Sequence, residues 1–179
     1  MLELGRQGRL FIAPNTVIMK RAALLAAGKF VPELRGASDW FADYVAGFRH
    51  GICFVPEPLA IAQIQPDGYW RRIRQDRASY RAALEELMRL LNQPSYHDAA
   101  EMIREAGSLY IHGVPMLKVV LSRPEYRPFL IPALVRKCIW HSTQVFLKRF
   151  TPAILGNLYF RVAGYRACTS RPVAAASQQ

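Results

Sequence analysis

Apolar and polar positions change period several times over the first seventy residues and then settle into helical spacing to the end of the chain. Leu10 to Met19 reads as a strand with an irregular start at Pro14-Asn15, because Thr16-Val17-Ile18 is β-branched and suits a pleated surface. Lys20 to Ala27 is made of good helix formers, and Gly28 is placed to close that helix. Ser38 is the expected N-cap of a helix running to about His50, with Gly51 as its stop. On it Phe41, Tyr44, Val45 and Phe48 share one face and should be core, while Asp39 and Asp43 lie together on the opposite face. Ile52 to Val55 is a second short strand. After a turn bracketed by Pro56 and Pro58, Leu59 to Gln65 is a third, ending at Pro66-Asp67-Gly68.

The remainder reads as helices. Trp70 to Leu91 carries Ile73, Tyr80, Leu84, Leu87, Met88 and Leu91 at helical spacing. Ser95 with Asp98 signals a capping box for a helix through about Tyr110. Pro115 suits the first position of a short helix, Met116 to Leu121. Ala133 to Phe150 is a longer one after Pro128 and Pro132, and Ala153 to Tyr165 a last one after Pro152. The pattern predicts an α/β unit over residues 1–69, a helical extension over 70–165, and a disordered tail over 166–179.

Charge sharpens this division. The chain of 179 residues carries a formal net charge of +11. From Lys118 to Arg171, ten Lys or Arg residues face the single acid Glu125. Such an excess points to an anionic partner, such as a membrane surface. Three scattered cysteines, Cys53, Cys138 and Cys168, form no CxxC pair and read as reduced structural thiols. The first residues lack the apolar run of a signal peptide, and Phe129 to Val135 is far short of the roughly 20 residues a membrane span needs. The expectation is a cytoplasmic protein, free or peripheral on a membrane face.

The sequence contains no P-loop, GxGxxG, HExxH or GxSxG, and no DxD pair to clamp a metal–diphosphate. His50, His97, His112 and His141 share no ligand spacing. What stands out is an ordered series of small motifs. Asn15-Thr16-Val17-Ile18-Met19-Lys20-Arg21 is followed by Leu25 and Gly28-Lys29-Phe30, then Ser38-Asp39-Trp40, then Gly51 and Val55-Pro56-Glu57-Pro58-Leu59. This series resembles the second, acceptor-side half of the family-two glycosyltransferase domain, over about the first 70 residues.

The resemblance implies a partial Rossmann-like (GT-A) α/β fold and transfer of a sugar from a nucleotide donor to an acceptor hydroxyl. The family's general base maps onto Asp39, with Trp40 and Asp43 as acceptor-side neighbours. A carboxylate in a first helical turn is favoured by the helix dipole, and a flat indole could face a sugar ring. The implied partners are a nucleotide sugar and an acceptor glycan or lipid-linked sugar, and the family's divalent metal is the expected cofactor. The sequence departs from the pattern in places. Lys29 replaces a second glycine, Ser38 an acid, and Gln63 and Gln65 stand where a basic residue and a histidine are usual. Only 14 residues precede Asn15, too few for the family's nucleotide-binding strands. A fragment, a site completed by another chain, or a relic are the readings open, and self-association is expected of an unpaired sheet edge.

The basic segment Leu134 to Tyr165 mixes Trp140, Phe146, Phe150, Tyr159 and Tyr165 with Arg136, Lys137, Lys148, Arg149 and Arg161. It reads either as a surface-lying amphipathic helix on an anionic membrane or as a helix packed on the domain with its charges solvated. Nucleic acid ranks last, since no recognition motif accompanies the charge.

Overall fold

The computed structural model describes residues 1–55, 57, 59–60 and 68–150, and every regular element among them is helical. In chain order these are α1 (Leu2–Arg6), α2 (Arg21–Ala26), α3 (Ser38–His50), α4 (Tyr69–Gln75), α5 (Arg77–Leu91), α6 (His97–Ala106), α7 (Val114–Ser122) and α8 (Pro132–Phe150). Short 3-10 turns join several of them, at Pro14–Thr16, Pro32–Ala37, Pro94–Tyr96, Ser108–His112 and Pro124–Phe129.

The α/β expectation is therefore corrected: no strand is found among the described residues. Leu10 to Met19 is extended backbone interrupted by the Pro14–Thr16 turn, and Ile52 to Val55 is irregular. A helix closes its hydrogen bonds within itself, whereas a strand exists only beside a second one about 4.8 Å away. Strand-type side chains do not by themselves supply that neighbour. Of the third expected strand, Leu59 and Ala60 are irregular, and 61–65 lie outside the described residues. The helix expected over Ala153 to Tyr165 and the tail over 166–179 lie outside them as well.

The chain divides into two compact units, Met1–His141 and Ser142–Gln179. Of the second, the structure describes 142–150, the last residues of α8. The first unit has α3 at its centre. The stripe Phe41, Tyr44, Val45 and Phe48 is buried, and so are Trp40, Ala42, Asp43 and Ala46. Around α3 pack α2, α6 and the Pro32–Ala37 turn, and that turn also lies on α5. From α5 come Tyr80, Leu84, Leu87, Met88 and Leu91, from α6 Ala99 and Ile103, and from α7 Met116, Val119 and Val120. Residues on both sides of position 69 thus share one apolar core.

Local chemistry explains the helix ends. The apolar pattern of 70–91 gives two helices because Asp76 leaves helical geometry and its carboxylate accepts the Ser79 N–H at 3.1 Å, capping α5. Ser38 is the first residue of α3 rather than its cap; Ala37 holds the cap position, and no side chain caps it. Likewise α6 starts at His97 without a side-chain cap, and it ends at Ala106 because Gly107 turns left-handed.

The helices approach one another closely at α1 and α6, where a Cβ on Gly5 would come within 2.6 Å of the Ala106 Cβ. Lys137 of α8 exploits that contact. Its buried Nζ donates to the carbonyl oxygens of Gly5 and Ala106, the latter at 2.5 Å, and it lies 5.7 Å from the Tyr110 ring centroid. Carbonyls at a helix C-terminus carry partial negative charge, so a cation there joins three helices at once. Burial, and then the charge of Arg136, lower the Lys137 pKa.

Candidate functional site

The first turn of α3 holds all three residues singled out by sequence. Asp39 is exposed, and its Oδ1 accepts the Trp40 N–H at 2.7 Å. From Ser38 through Phe48, Asp39 is the one residue of α3 that is not buried. It stands at the rim of a helix that is otherwise core.

Asp39 and Asp43 do not share a solvated face. Asp43 is only 7% exposed, and its Oδ2 has no hydrogen-bond partner among the described residues. Burial, with the neighbouring Asp39 charge second, pushes its pKa up to about 6. Trp40 is 4% exposed, stacked on Tyr44 with centroids 4.5 Å apart and set edge-on to His112 at 5.2 Å. Its faces are taken up by the core, which corrects the expectation that it offers a flat surface to a sugar. Asp39 alone of the three has the access that acceptor contact demands.

The far end of α3 is fixed by Arg49. Its guanidinium forks onto Asp98, Nε to Oδ2 and Nη2 to Oδ1, both at 2.8 Å, and also donates to the Ala26 and Ser95 carbonyls. It lies 5.6 Å from the Tyr96 ring centroid. The side-chain bond from Arg49 holds the Asp98 carboxyl well below its usual range, at about 2. The exposed Asp39 is thus carried on a helix whose other end is tied to α2 and α6.

Sequence reasoning missed a buried polar group beneath Trp40. His112, 1% exposed, faces Tyr80, with Tyr80 Oη 3.1 Å from its Nδ1. Burial, and then the positive charge of Arg74, push the His112 pKa down to about 3, so the ring stays neutral across the physiological range. Burial raises Tyr80 to about 12, and burial followed by Tyr110 raises Tyr44 equally far. Ser38 Oγ, Trp40 Nε1, Asp43 Oδ2 and His112 Nε2 are buried, and among the described residues none has a partner that meets hydrogen-bond geometry. The indole N–H is felt at the Tyr44 hydroxyl but stops short of a proper bond. Nothing in the sequence spacing joins Trp40, Tyr80 and His112, which lie on three separate elements.

Gln63 and Gln65 lie outside the described residues. Among the described residues no three His, Cys, Asp or Glu side chains come together to hold a metal ion. Nor, among those residues, is any helix long and apolar enough to cross a membrane. Comparison with protein-family models, with characterised proteins and with solved structures finds no match.

Proposed function

We propose that the chain supplies the acceptor side of a sugar transfer, with Asp39 as general base and the nucleotide-sugar site contributed by another polypeptide segment. Asp39 takes the proton of the acceptor hydroxyl. The freed oxygen bonds to the anomeric carbon as the bond from that carbon to the donor phosphate breaks, and the nucleoside diphosphate leaves. The observation that supports this reading is the isolation of Asp39 as the single solvent-facing residue on the buried span of α3. A carboxylate held at a helix start by a backbone N–H, on a helix anchored at its other end, is positioned without being buried.

The reading has two arms of test. Titrated with methyl glycosides and followed by amide NMR, the chain should respond at residues 38–40, and Asp39→Asn should remove the response. UDP-sugars alone should leave the spectrum unchanged. In any assembly that turns over, Asp39→Asn should lower kcat by roughly 10²–10⁴ with donor Kd unaltered. A response distributed over the whole surface, or equal losses from Asp39→Asn and Asp43→Asn, would remove Asp39 from the chemistry.

One observation favours a second, non-catalytic reading. On α8, Ile139 and Trp140 are about two-thirds exposed, close to exposed Arg136. An apolar patch beside an exposed arginine suits a helical module resting on an anionic membrane. Vesicles containing phosphatidylglycerol should shift Trp140 emission to the blue, and phosphatidylcholine vesicles should not. Loss of the shift in Trp140→Phe assigns it to this residue, while an equal shift on neutral vesicles would discard the reading.

A further inference from the structure

Helix α3 opens with two acids one turn apart, which the fold treats in opposite ways. Asp39 faces solvent, and its Oδ1 accepts the Trp40 N–H. Asp43 is 7% exposed, and among the described residues its Oδ2 has no hydrogen-bond partner. The same holds for the Oγ of Ser38, a residue 9% exposed that immediately precedes Asp39. A buried carboxylate is normally matched by hydrogen bonds or an opposite charge, because burying it alone is costly. Here burial, and then the Asp39 charge, push the Asp43 pKa up to about 6, so the two carboxyls act on each other across the turn.

No base in the surroundings balances them. From Ser38 through Phe48 there is no Lys or Arg. Of the elements packed on α3, α2 carries Arg21, the Pro32–Ala37 turn carries Glu33 and Arg35, and the Pro14–Thr16 turn carries no ionisable group. The ions of α6 pair with Arg49, with one another and with Arg6. Met1 packs beside Gly47, bringing the amino terminus to the same helix. Tyr44, Tyr110 and His112, close to Trp40 or to one another, are uncharged between pH 5 and 8, as their pKa shifts require. Among the described residues, the one charge that acts on Asp43 is that of Asp39, and it has the same sign. On a protein at +11, the start of α3 is thus a local excess of negative charge with one solvent-facing contact point.

We infer that the acceptor met by Asp39 carries a protonated amine beside its reacting hydroxyl, as an amino sugar does, and that Asp43 is the positioning residue that selects this cation by charge. The inference rests on the reading of Asp39 as the acceptor-side base. A carboxylate has about four acceptor positions, and the Trp40 N–H takes one, which leaves room for a hydroxyl and a neighbouring ammonium. Asp43 touches neither. Its charge, held in a buried site where screening by water is weak, adds to the attraction felt at Asp39. With both carboxylates ionised and one ammonium bound, the group is still net negative, so Asp39 can still take the hydroxyl proton. A neutral acceptor gains nothing from the second carboxylate. Linkage gives the converse: a cation at Asp39 offsets the charge that opposes Asp43 ionisation and lowers the pH at which Asp43 titrates.

The test uses the full chain, with methyl glucosaminide set against methyl glucoside and the N-acetylated glucosaminide, followed by amide and carboxyl-carbon NMR. At pH 7 and low salt the amine should bind at residues 38–40 at least about tenfold more tightly than either neutral glycoside, a margin that salt reduces. The margin should narrow as pH falls through about 6, where Asp43 gains its proton. Saturating amine should move the Asp43 carboxyl titration to lower pH, a response that a purely structural Asp43 would not give. Asp43→Asn should keep neutral-glycoside binding, narrow the margin and remove its pH dependence near 6, with a cooperative melt showing the fold intact. Should that variant fail to fold, the Asp43 titration in the unsubstituted chain decides alone. Neutral glycosides that bind at 38–40 as tightly as the amine would overturn this inference and leave Asp39 as base. So would an amine margin indifferent to pH and to Asp43→Asn, or an Asp43 titration unmoved by the amine. Absence of any glycoside response at 38–40 would remove the reading of Asp39, and this inference with it.

Discussion

Helix α5 and the segment from Leu10 to Lys20 are both rich in apolar residues, yet they end in opposite conditions. Tyr80, Leu84, Leu87, Met88 and Leu91 of α5 vanish into the core, whereas Phe11 and Ile18 face solvent. The difference is one of hydrogen bonding. Helix α5 satisfies its own backbone, takes its cap from Asp76 next door, and needs other elements only to cover one stripe. The extended segment has no such autonomy: it packs Leu10, Ile12, Val17 and Met19 on the core, exposes Phe11 and Ile18, and among the described residues leaves the N–H groups of Ile18 and Met19 without a backbone partner. A helical half of a protein can complete itself, while a strand depends on what is brought to it.

The largest expected effect breaks the comparison at its strong end. Leu87→Ala removes a side chain with no solvent exposure and should cost about 2–5 kcal/mol in denaturant unfolding. Ile18→Ala should change stability by no more than about 0.5 kcal/mol, because Ile18 is fully exposed. Similar losses from the two would mean that the extended segment is packed after all. Next in size is Lys137→Ala, which strips the Gly5 and Ala106 carbonyls of their buried donor and should cost about 1–3 kcal/mol. A neutral result would mean that α1, α6 and α8 hold together without the Lys137 hydrogen bonds.

A smaller effect sharpens the account of α3. Asp43 has a folded-state pKa of about 6, above the 3.8 of an ordinary aspartate. Its folded state therefore binds the proton more tightly, and stability present below about pH 4 is lost as pH rises through 6. Asp43→Asn should raise Tm at pH 8, leave it nearly unchanged at pH 3.5, and flatten the profile between. Asp98 behaves in the opposite sense: its pKa of about 2 contributes stability above pH 4 that is lost on acidification, and Arg49→Ala should remove that acid limb.

What the sequence made legible follows the same physical line. The bounds of α3 and its core stripe were readable because Gly51 and the spacing of Phe41, Tyr44, Val45 and Phe48 are local signals. The break at Asp76 was hidden, since apolar residues continue in phase on either side of it. Strand pairing was not readable, because β-branched residues at 16–18 state a preference and not a neighbour. At the candidate site, spacing put Asp39 and Asp43 on one face of α3, but only packing separates them, burying one and exposing the other. The pairing of His112 with Tyr80 and its contact with Trp40 depend on long-range packing, for which spacing carries no signal.

Amide hydrogen exchange of the purified chain tests the central claim, that the helices are self-sufficient and the extended segment is not. The account predicts strong protection through the middle of α3 and α5, with Ile18 and Met19 exchanging at close to the rate of an unstructured peptide. Protection at Ile18 and Met19 comparable to that of Leu87 and Met88 would contradict it, for it would mean that the segment already has its strand partner within the chain or in a second copy.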